Sequence, residues 1–590
     1  MSILKLNLSL PLNLSYFRKF DNPRRPSYFK DEMKTKYIFV TGGVLSGLGK
    51  GVTAASIANL LQSHGFKIWL QKFDQYLNVD AGTLNPHEHG EVFVLDDGSE
   101  TDLDLGHYER FLNISLNKTS SVMSGQIYQA VLEKERSGKF LGKTIQMIPH
   151  VTDEVKNRLF GAAEKSKCEI LITEIGGTIG DYEGTHFIEA IRQMQYDVGK
   201  DNVLYIHVGF LPYLGASEEL KSKPLQNSVH DLQAMGIQPE IIIARADHPV
   251  EEKLIDKIAL FTGVEKSAVI PLETVHSIYL VPLVLEKFKI AQIISEKLKL
   301  KLKKSKNHQK WQAFCQKIKT ADHCRKTLNI GLVGKYMEMK DTYLSVTEAL
   351  KIAATAQGVR LSLGWIEAES IEKQGPPTLK KYQGLVVPGG FGSRGTEGKI
   401  QAIKYAREHK IPFLGLCFGM QLATIEFARN VAGLKQACST EIEPKTPHPV
   451  IHIMPEQEKK MLKDDYGGSM RLGEYPCLLK NDTLAYRTYS KLGMGSGKSS
   501  SHISQSKFTI SERHRHRFEF NNAYREMLEK KGLVIPGTSP DEKLVEIIEM
   551  PQKIHPFFVA TQFHPEFKCR PLAPHPLFLE FIRVAVKIKV

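Results

Sequence analysis

One cysteine at the end of an apolar run has the residue type and the spacing of a nucleophile. Cys417 lies between two glycines in the segment L-G-L-C-F-G-M-Q, residues 414–421. Free cysteines are usually buried and inert, so the surrounding residues must decide between a packed thiol and a nucleophile. The G-x-C-x-G spacing, followed by a helical pattern, predicts a sharp strand-to-helix turn that raises the thiol above a sheet. The helix N-terminus would favour the thiolate.

A histidine and a glutamate near the C-terminus supply the partners that such a thiol needs. The segment F-V-A-T-Q-F-H-P-E-F places His564 and Glu566 directly after another predicted strand. A base for the thiol and a carboxylate that orients the base complete a triad. Upstream, the turn P-G-G-F-G at 388–392 offers backbone N–H groups for an oxyanion hole. Together these features predict that Cys417 is a nucleophile.

A glycine-rich turn in the N-terminal half predicts a phosphate site. Residues 41–53, T-G-G-V-L-S-G-L-G-K-G-V-T, follow a predicted strand and open a helix. Such a turn presents backbone N–H groups and a positive helix end to phosphates, and Lys50 stands where a P-loop lysine reaches the terminal phosphates. The match to G-x-x-x-x-G-K-[ST] is imperfect because Gly51 follows the lysine. A turn that serves only for tight packing is the alternative.

Three carboxylates strengthen the phosphate interpretation. Asp102 and Asp104 lie in E-T-D-L-D-L-G-H-Y-E-R, and Glu174 lies near the end of the strand L-I-T-E-I. Magnesium bound with ATP takes one or two carboxylates together with phosphate oxygens. The carboxyl ends of parallel strands are where such sheets bind ligands. For each residue taken alone, a helix cap or a surface charge is an equal alternative.

The elements that position these residues alternate between short β-rich runs and helical runs. In the N-terminal half the predicted strands are Y-I-F-V-T-G-G, F-K-I-W-L-Q-K-F, E-I-L-I-T-E-I, V-L-Y-I-H-V-G-F and E-I-I-I-A-R-A. A second alternating block begins at L-N-I-G-L-V-G-K-Y and continues through Q-G-L-V-V-P-G-G-F-G and I-P-F-L-G-L-C. Strands that alternate with helices imply βαβ units and parallel sheets. We therefore predict an α/β fold with two parallel-sheet domains, the first of them P-loop-like.

Changes of composition divide the 590 residues into four predicted parts. Residues 1–33 are expected to be a disordered extension, or a product of a start codon upstream of Met33. Residues 34–298 form the first domain, residues 299–327 a lysine-rich helical linker, and residues 328–590 the second domain. The segment S-G-K-S-S-S-H-I-S at 496–504 is expected to be a flexible surface loop.

Composition excludes several classes of protein. The chain has 42% hydrophobic and 24% charged residues, and no run of about 18 apolar residues predicts a membrane span. Its seven cysteines form no C-x-x-C pair, which favours the cytoplasm over secretion or a structural zinc site. The net charge of +14 suits anionic partners such as nucleotides. We expect neither a membrane nor a nucleic acid partner.

The motifs resemble those of one enzyme family. The second domain resembles the class I glutamine amidotransferases, whose Cys-His-Glu triad hydrolyses glutamine and releases ammonia. From about residue 35 to its C-terminus the chain resembles the CTP synthase family. The segments that carry this resemblance are V-T-G-G-V-L-S-G-L-G-K-G, H-G-E-V-F-V-L-D-D-G, D-L-D-L-G-H-Y-E-R-F, E-I-G-G-T-I-G-D, K-S-K-P-L-Q-N-S-V and R-H-R-H-R-F-E.

The resemblance implies an ATP-dependent ligase that aminates UTP. ATP phosphorylates O4 of UTP in the first, synthetase domain, and ammonia from glutamine, channelled between the domains, displaces phosphate to give CTP. It also implies Mg²⁺ with the ATP, GTP as an allosteric activator near Leu141, CTP as a feedback inhibitor, and a homotetramer. Two alternatives stay open: another ATP-dependent amide synthase with a fused glutaminase domain, and a non-catalytic nucleotide-binding assembly protein. UTP-dependent ATP hydrolysis distinguishes the first alternative, and glutaminase activity the second.

The resemblance also implies a role for individual residues. ATP is expected at Gly47, Leu48, Gly49, Lys50, Gly51, Val52 and Asp104. Lys72 is expected to assist phosphoryl transfer, and Asp104 and Glu174 to bind the metal. UTP or CTP is expected at Ser46, Asp181, Tyr182, Glu183, Lys221, Ser222, Lys223, Pro224, Leu225, Gln226 and Lys257. Glutamine is expected at Gly390, Phe418, Gly419, Met420, Gln421, Glu441 and Arg517.

The chain departs from the usual family pattern at several of these places. Gln75 replaces a proline, and Ser222 and Leu225 replace threonines. Thr274 stands where bacterial relatives often have aspartate near the adenine, and Phe418 replaces a leucine. The segment G-D-Y-E-G-T-H replaces the more common G-D-I-E-S, a change expected to alter CTP feedback rather than turnover.

Overall fold

The computed structural model describes residues 35–303, 307–324, 326–335, 337–454, 470–491 and 508–589. The predicted extension at 1–33 and the predicted loop at 496–504 lie outside these residues. In the part of the chain that is described, every helix falls short of the length and apolar character needed to cross a membrane.

The first domain is built on a seven-stranded sheet in which every neighbouring pair is parallel, as predicted. The strands in chain order, with two short hairpins, are β1 (Lys36–Gly42), β2 (Ile68–Asp74), β3 (Phe93–Val94), β4 (Glu100–Thr101), β5 (Ser121–Met123), β6 (Ile170–Ile175), β7 (Val203–Phe210), β8 (Tyr213–Leu214), β9 (Glu219–Leu220), β10 (Ile241–Ala246) and β11 (Val269–Glu273). The order in the sheet is β11-β10-β7-β1-β6-β2-β5. Helices cover both faces, which is why the central strands are continuous apolar runs.

The helices of this domain begin at the ends of the strands and carry many of the polar residues singled out above. They are α1 (Lys50–Ser63), α2 (Pro86–His89), α3 (Asp104–Leu112), α4 (Ser124–Arg136), α5 (Thr152–Ser166), α6 (Thr185–Val198), α7 (Lys223–Ala234), α8 (Glu252–Thr262), α9 (Val281–Lys287) and α10 (Ile290–Lys297). In the predicted linker a helix α11 (Asn307–Asp322) packs back onto the first domain. Its Trp311 donates a hydrogen bond to the carbonyl of Tyr279 at 3.1 Å.

The second domain contains a nine-stranded sheet in the order β13-β12-β14-β15-β23-β22-β21-β18-β19. The strands, with a separate three-stranded sheet β16-β17-β20, are β12 (Thr327–Gly334), β13 (Arg360–Glu367), β14 (Gly384–Val387), β15 (Phe413–Leu416), β16 (Ala437–Ser439), β17 (His448–Ile453), β18 (Arg471–Leu479), β19 (Thr509–His516), β20 (Phe518–Phe520), β21 (Val534–Thr538), β22 (Val545–Glu549) and β23 (Phe558–Thr561). The five strands from β13 to β23 are parallel, as predicted, and the sheet continues through four antiparallel pairings to β19. The helices are α12 (Leu344–Ala356), α13 (Ala368–Gln374), α14 (Thr396–Glu408), α15 (Phe418–Asn430), α16 (Leu484–Ser490), α17 (Arg525–Lys530) and α18 (Pro576–Ala585).

A buried group of charges joins the two domains. Arg513 on β19 is fully buried and donates to Glu109 of α3 at 2.8 and 3.0 Å and to Asp96 at 2.5 Å. Arg570 also donates to Glu109. Two positions along the same strand, Arg515 donates to Glu100 at 2.8 Å. Alternate residues of a strand share a face, so β19 presents both arginines to the first domain.

Candidate active site

Cys417 occupies the sharp turn between β15 and α15. Its backbone has φ 50° and ψ −99°, a strained conformation for a residue other than glycine. The Cys417 N–H donates to the carbonyl of Thr561 at 2.7 Å, which ties the turn to β23. A Cβ on Gly419 would lie 2.2 Å from the carbonyl oxygen of Val387, so only glycine permits this close packing. The strained turn thus has the geometry of a nucleophile elbow.

His564 and Glu566 lie directly beside this elbow. Nδ1 of His564 is 2.7 Å from Oε1 of Glu566, and both side chains are buried. A Cβ built on Gly389 would lie 2.9 Å from Cε1 of His564 and 3.8 Å from Cβ of Cys417, so the glycine turn, the imidazole and the thiol converge. Burial alone would lower the pKa of His564, but the charges of Glu566 and then Cys417 raise it to about 10. The histidine is therefore an imidazolium at neutral pH, suited to hold a thiolate and to protonate a leaving group.

The turn at 388–392 forms the other wall of this site. The N–H of Gly392 donates to Oε1 of Glu441 at 2.8 Å, and Lys335 donates to the carbonyl of Phe391. Lys399 is fully buried behind the turn, with its Nζ 3.7 Å from a Cβ built on Gly390. Burial, assisted by the nearby Lys335, lowers the pKa of Lys399 to about 7. The hydrogen bonds from Gly392 and Lys335 thus fix the turn, as preorganised oxyanion donors require.

A cavity of about 100 Å³ opens from Cys417 and His564 toward the first domain. The second domain contributes Arg515 to its lining, and the first contributes Glu91 and Val92. Glu91 in turn accepts a hydrogen bond from the N–H of Ser345 at 3.0 Å, and burial raises the pKa of its carboxyl to about 7. The thiol therefore faces a space that residues of both domains line.

The glycine-rich turn in the first domain leads into α1 as predicted. Gly47 and Gly49 have φ values of 72° and 88°, a left-handed conformation that favours glycine. Lys50 is the first residue of α1, and its Nζ donates to the carbonyl of Gly177 at 2.6 Å. Burial lowers the pKa of Lys50, although Glu174 lies close enough to oppose that shift.

Lys72 on β2 lies at the centre of a cluster of carboxylates. Its Nζ is 2.5 Å from Asp104, 2.8 Å from Asp102 and 3.3 Å from Asp74. Burial would lower the pKa of Lys72, but these three carboxylates together raise it well above its ordinary value. Lys72 also pairs in register with Glu174 on β6. The lysine is therefore charged at neutral pH and is held near the adjacent ends of β2 and β6.

Asp104 and Glu174 approach each other beside the first turn of α1. A Cβ built on Gly51 would lie 2.3 Å from Oδ1 of Asp104 and 3.1 Å from Oε2 of Glu174. Burial would raise the pKa of Asp104, but Lys72 holds it at about 2, whereas burial followed by repulsion from Asp104 raises that of Glu174 to about 7. The glycine after Lys50, which spoils the P-loop match, is therefore required by the two carboxylates that it touches.

Two family models match the two halves of the chain. Residues 36–300 match the model described as CTP synthase N-terminus, and residues 338–584 match the glutamine amidotransferase class-I model. The CTP synthase of Caldanaerobacter subterraneus is 52% identical to this chain over 94% of it and 99% of that protein. The chain belongs to the CTP synthase family. The CTP synthase of Geobacillus kaustophilus is 51% identical over 94% of this chain and all of that protein.

Among solved structures, the glutaminase domain of Trypanosoma brucei CTPS with bound acivicin is 36% identical. The match covers 45% of this chain and 95% of the Trypanosoma brucei domain, with a TM-score of 0.39.

Several of the residues expected around glutamine in this family lie close to Cys417 or to the glycine turn. Gln421 donates through Nε2 to the carbonyl of Phe518 at 2.9 Å, next to Arg517. Glu441 contacts the glycine turn, as described above. The side chains of Phe418 and Met420 are fully buried in the core below the elbow, and the Phe418 ring lies close to Gly390 in the glycine turn.

The residues expected around the pyrimidine nucleotide are more widely spread. Asp181 accepts hydrogen bonds from the N–H and hydroxyl of Thr178 at 2.7 and 2.8 Å, while Tyr182 and Glu183 are exposed. Lys221 pairs with Glu219, and Lys257 is close enough to affect the same carboxylate. Ser222, Lys223, Pro224 and Gln226 form the start of α7, and Ser46 lies exposed in the glycine-rich turn. Leu48 is buried and Val52 half-buried beside that turn.

Leu225 differs from the other residues expected at the nucleotide. It is fully buried, and a Cβ built on Gly209 would lie 2.6 Å from its Cγ. Its side chain therefore packs against Gly209 on β7.

The structure brings several further residues to these sites that the sequence motifs do not single out. Asp74 contacts Lys72, and Tyr108 donates to Glu174. Nε2 of Gln562 lies 3.7 Å from Sγ of Cys417. Asp74 had a usable signal, since it follows Lys72 by two positions on one strand and therefore shares its face.

Proposed function

We propose that this chain makes CTP from UTP, using ATP and ammonia that its own second domain releases from glutamine. The observation that carries the proposal is the pair of complete polar sites, one around Cys417 and one around Lys72, together with a cavity that both domains line. The domain limits predicted above, 34–298 and 328–590 with a linker at 299–327, belong to the same proposal.

In the second domain, the thiolate of Cys417 attacks the amide carbon of glutamine. The developing oxyanion is stabilised by backbone N–H groups of the 388–392 turn and the start of α15. The imidazolium of His564 gives a proton to the departing nitrogen, so ammonia leaves and a thioester remains. Water, activated by the now neutral His564, hydrolyses the thioester to glutamate. Glu566 keeps the imidazole oriented through both steps.

In the first domain, the γ-phosphoryl group of ATP passes to O4 of UTP. Phosphoryl transfer needs positioning and neutralisation of charge, which Lys50 and Lys72 supply. Ammonia then attacks C4, and phosphate leaves to give CTP. Ammonia in bulk water at neutral pH is mostly ammonium, so the space between Cys417 and Val92, lined by both domains, would limit contact of the nucleophile with bulk water.

The carboxylates beside Lys50 fit a divalent cation that arrives with ATP. Asp104 and Glu174 would hold Mg²⁺, whose role is to neutralise the phosphate oxygens. The described residues contain no group of three or more His, Cys, Asp or Glu arranged to hold a metal by themselves. This agrees with a metal that takes the rest of its ligands from phosphates and water.

Regulation forms the finer part of the proposal. We infer that GTP activates the enzyme near Leu141, which is 89% exposed in a turn with φ 52°. CTP would inhibit through Asp181 and Glu183, and the active form would be a homotetramer.

The test is CTP formation by the variant Cys417→Ala with ATP, UTP and magnesium, supplied with either glutamine or ammonium chloride. We expect loss of activity with glutamine and retention with ammonium, because Cys417 only releases ammonia. Retention with both nitrogen sources would make Cys417 a packed thiol. Absence of UTP-dependent ATP hydrolysis in the unmodified protein would refute the synthase assignment itself.

A further inference from the structure

One side chain ties the end of β2 to the loop that carries Asp181. Gln75 follows β2 directly, and its Nε2 donates to the carbonyl of Gly176 at 2.7 Å. The N–H of Gly176 donates to the carbonyl of Phe73 at 2.7 Å. The backbone of β2 at Phe73 and the side chain of Gln75 therefore both hold Gly176, where this loop starts.

The amide of Gln75 is enclosed by two glycines, one at each end of the segment 177–184. A Cβ on Gly177 would lie 2.1 Å from Oε1 of Gln75, and a Cβ on Gly184 would lie 2.0 Å from its Nε2. Gly177 needs to be glycine for its backbone as well, since its φ is 70°. Gly184 has φ −93° and ψ −7°, as at the third residue of a type I turn, where most residue types are found. What calls for glycine at position 184 is therefore the space that the Gln75 side chain fills.

The same segment is held from its other side by the phosphate loop. Lys50 donates to the carbonyl of Gly177 at 2.6 Å, as described above. Between Gly177 and Gly184, Asp181 accepts a hydrogen bond from the N–H of Thr178, and Glu183 is exposed.

We propose that Gln75 is a positioning residue for the pyrimidine nucleotide. By filling the space between Gly177 and Gly184, it fixes the turn that presents Asp181 and Glu183, and so sets how tightly UTP and CTP are held. It does not take part in phosphoryl transfer. The inference rests on the proposed function, because that function places the nucleotide at this turn.

The test compares Gln75→Ala, Gly184→Ala and the double variant in CTP formation from UTP with ammonium, so that the glutaminase does not enter. Each single variant is expected to raise the KM for UTP and the CTP concentration for half-inhibition by about threefold to tenfold, as loss of one hydrogen bond does. The kcat is expected to stay within about twofold, since Lys72 is untouched and the partner of Lys50 is the backbone carbonyl of Gly177, which neither substitution removes.

The double variant is expected to be no worse than either single variant. A methyl group at position 184 displaces the Gln75 amide, and Gln75→Ala removes that amide. Both substitutions therefore remove the same contact, so their effects on the KM should not add. Gly161→Ala is the matched control, because a Cβ there contacts nothing within 4 Å. It is expected to match the unmodified enzyme.

Three results would overturn the inference: an unchanged KM and unchanged CTP inhibition in Gln75→Ala, a fall in kcat at constant KM, or additive losses in the double variant. If the unmodified enzyme forms no CTP from UTP, the proposed function fails and takes this inference with it. If that enzyme forms CTP and Gln75→Ala behaves identically, the inference alone fails.

Discussion

The charge of Glu566 is what makes His564 an acid, and its removal gives a quantitative prediction. The substitution Glu566→Gln keeps the size of the side chain and an oxygen for the imidazole but removes the negative charge. Glu566 and Cys417 raise the pKa of His564 from 6.5 to about 10 against the effect of burial. This corresponds to about 5 kcal/mol of preference for the imidazolium, shared between Glu566 and Cys417.

Once the Cys417 sulfur is bonded to the substrate carbon it carries no charge, so without the Glu566 charge burial becomes the dominant influence, and we expect the pKa of His564 to fall to 6.5 or below. At pH 7.5 the protonated fraction would then drop from nearly all molecules to fewer than roughly one in ten. Glutaminase activity should therefore fall at least about tenfold, and further if the ring loses its orientation.

The sign of the pH dependence separates charge from simple damage. In the unmodified enzyme the imidazolium is lost only as the pH rises through about 10, so activity limited by this group should be flat from pH 7 to 9. In Glu566→Gln the same loss moves to lower pH, so the deficit relative to the unmodified enzyme should shrink as the pH falls towards 6.

The assay measures glutamate release and CTP formation in parallel, with ammonium-dependent CTP formation as the internal control. Glu526→Gln, at an exposed position on α17, is the matched surface control and should have no effect. The reasoning is refuted if Glu566→Gln keeps glutaminase activity within about twofold, or if its deficit is the same at every pH. Equal loss with ammonium would indicate damage to the whole fold.

Two further predictions concern the buried charges. Lys72→Met should abolish CTP formation from either nitrogen source while glutaminase activity remains. It should also lower the free energy of unfolding by about 3–5 kcal/mol, because the buried Asp74 and the half-buried Asp102 and Asp104 lose their partner. Normal CTP formation from ammonium, with an unchanged melting temperature, would contradict this. Arg513→Met should destabilise the full chain by a similar ~3–5 kcal/mol, since Glu109 and Asp96 lose a fully buried cation. Thermal melting measures the loss, with exposed Lys530→Met as control, and equal melting temperatures would argue against it.

The sequence was informative where local pattern and function coincide. The glycines around Cys417 predict the elbow because a tight turn leaves no room for a Cβ, as at Gly419 against Val387. The apolar runs predict the parallel strands because both faces of such a sheet are covered. V-L-Y-I-H-V-G-F is β7 from its first residue to its last.

The features that were not predicted depend on contacts between distant parts of the chain. Nothing near Arg513 indicates that its partner is Glu109, some four hundred positions earlier. The alternation R-H-R-H-R did indicate that Arg513 and Arg515 share a face, but not what that face meets. The antiparallel strands beyond β23 were missed because the sequence analysis followed only the βαβ pattern.

Helix α3 has a mechanical consequence for the whole molecule. Asp104, its first residue, contacts Lys72, and Glu109, five positions later, grips Arg513 of the second domain. At a rise of 1.5 Å per residue these two residues are only about 7.5 Å apart along the helix axis. A tilt of α3 at its phosphate end would therefore displace Glu109 and, through Arg513, the strand that carries Arg515 to the cavity beside Cys417. Insertion of a single residue between Asp104 and Glu109 would rotate Glu109 by about 100° around the helix and separate it from Arg513.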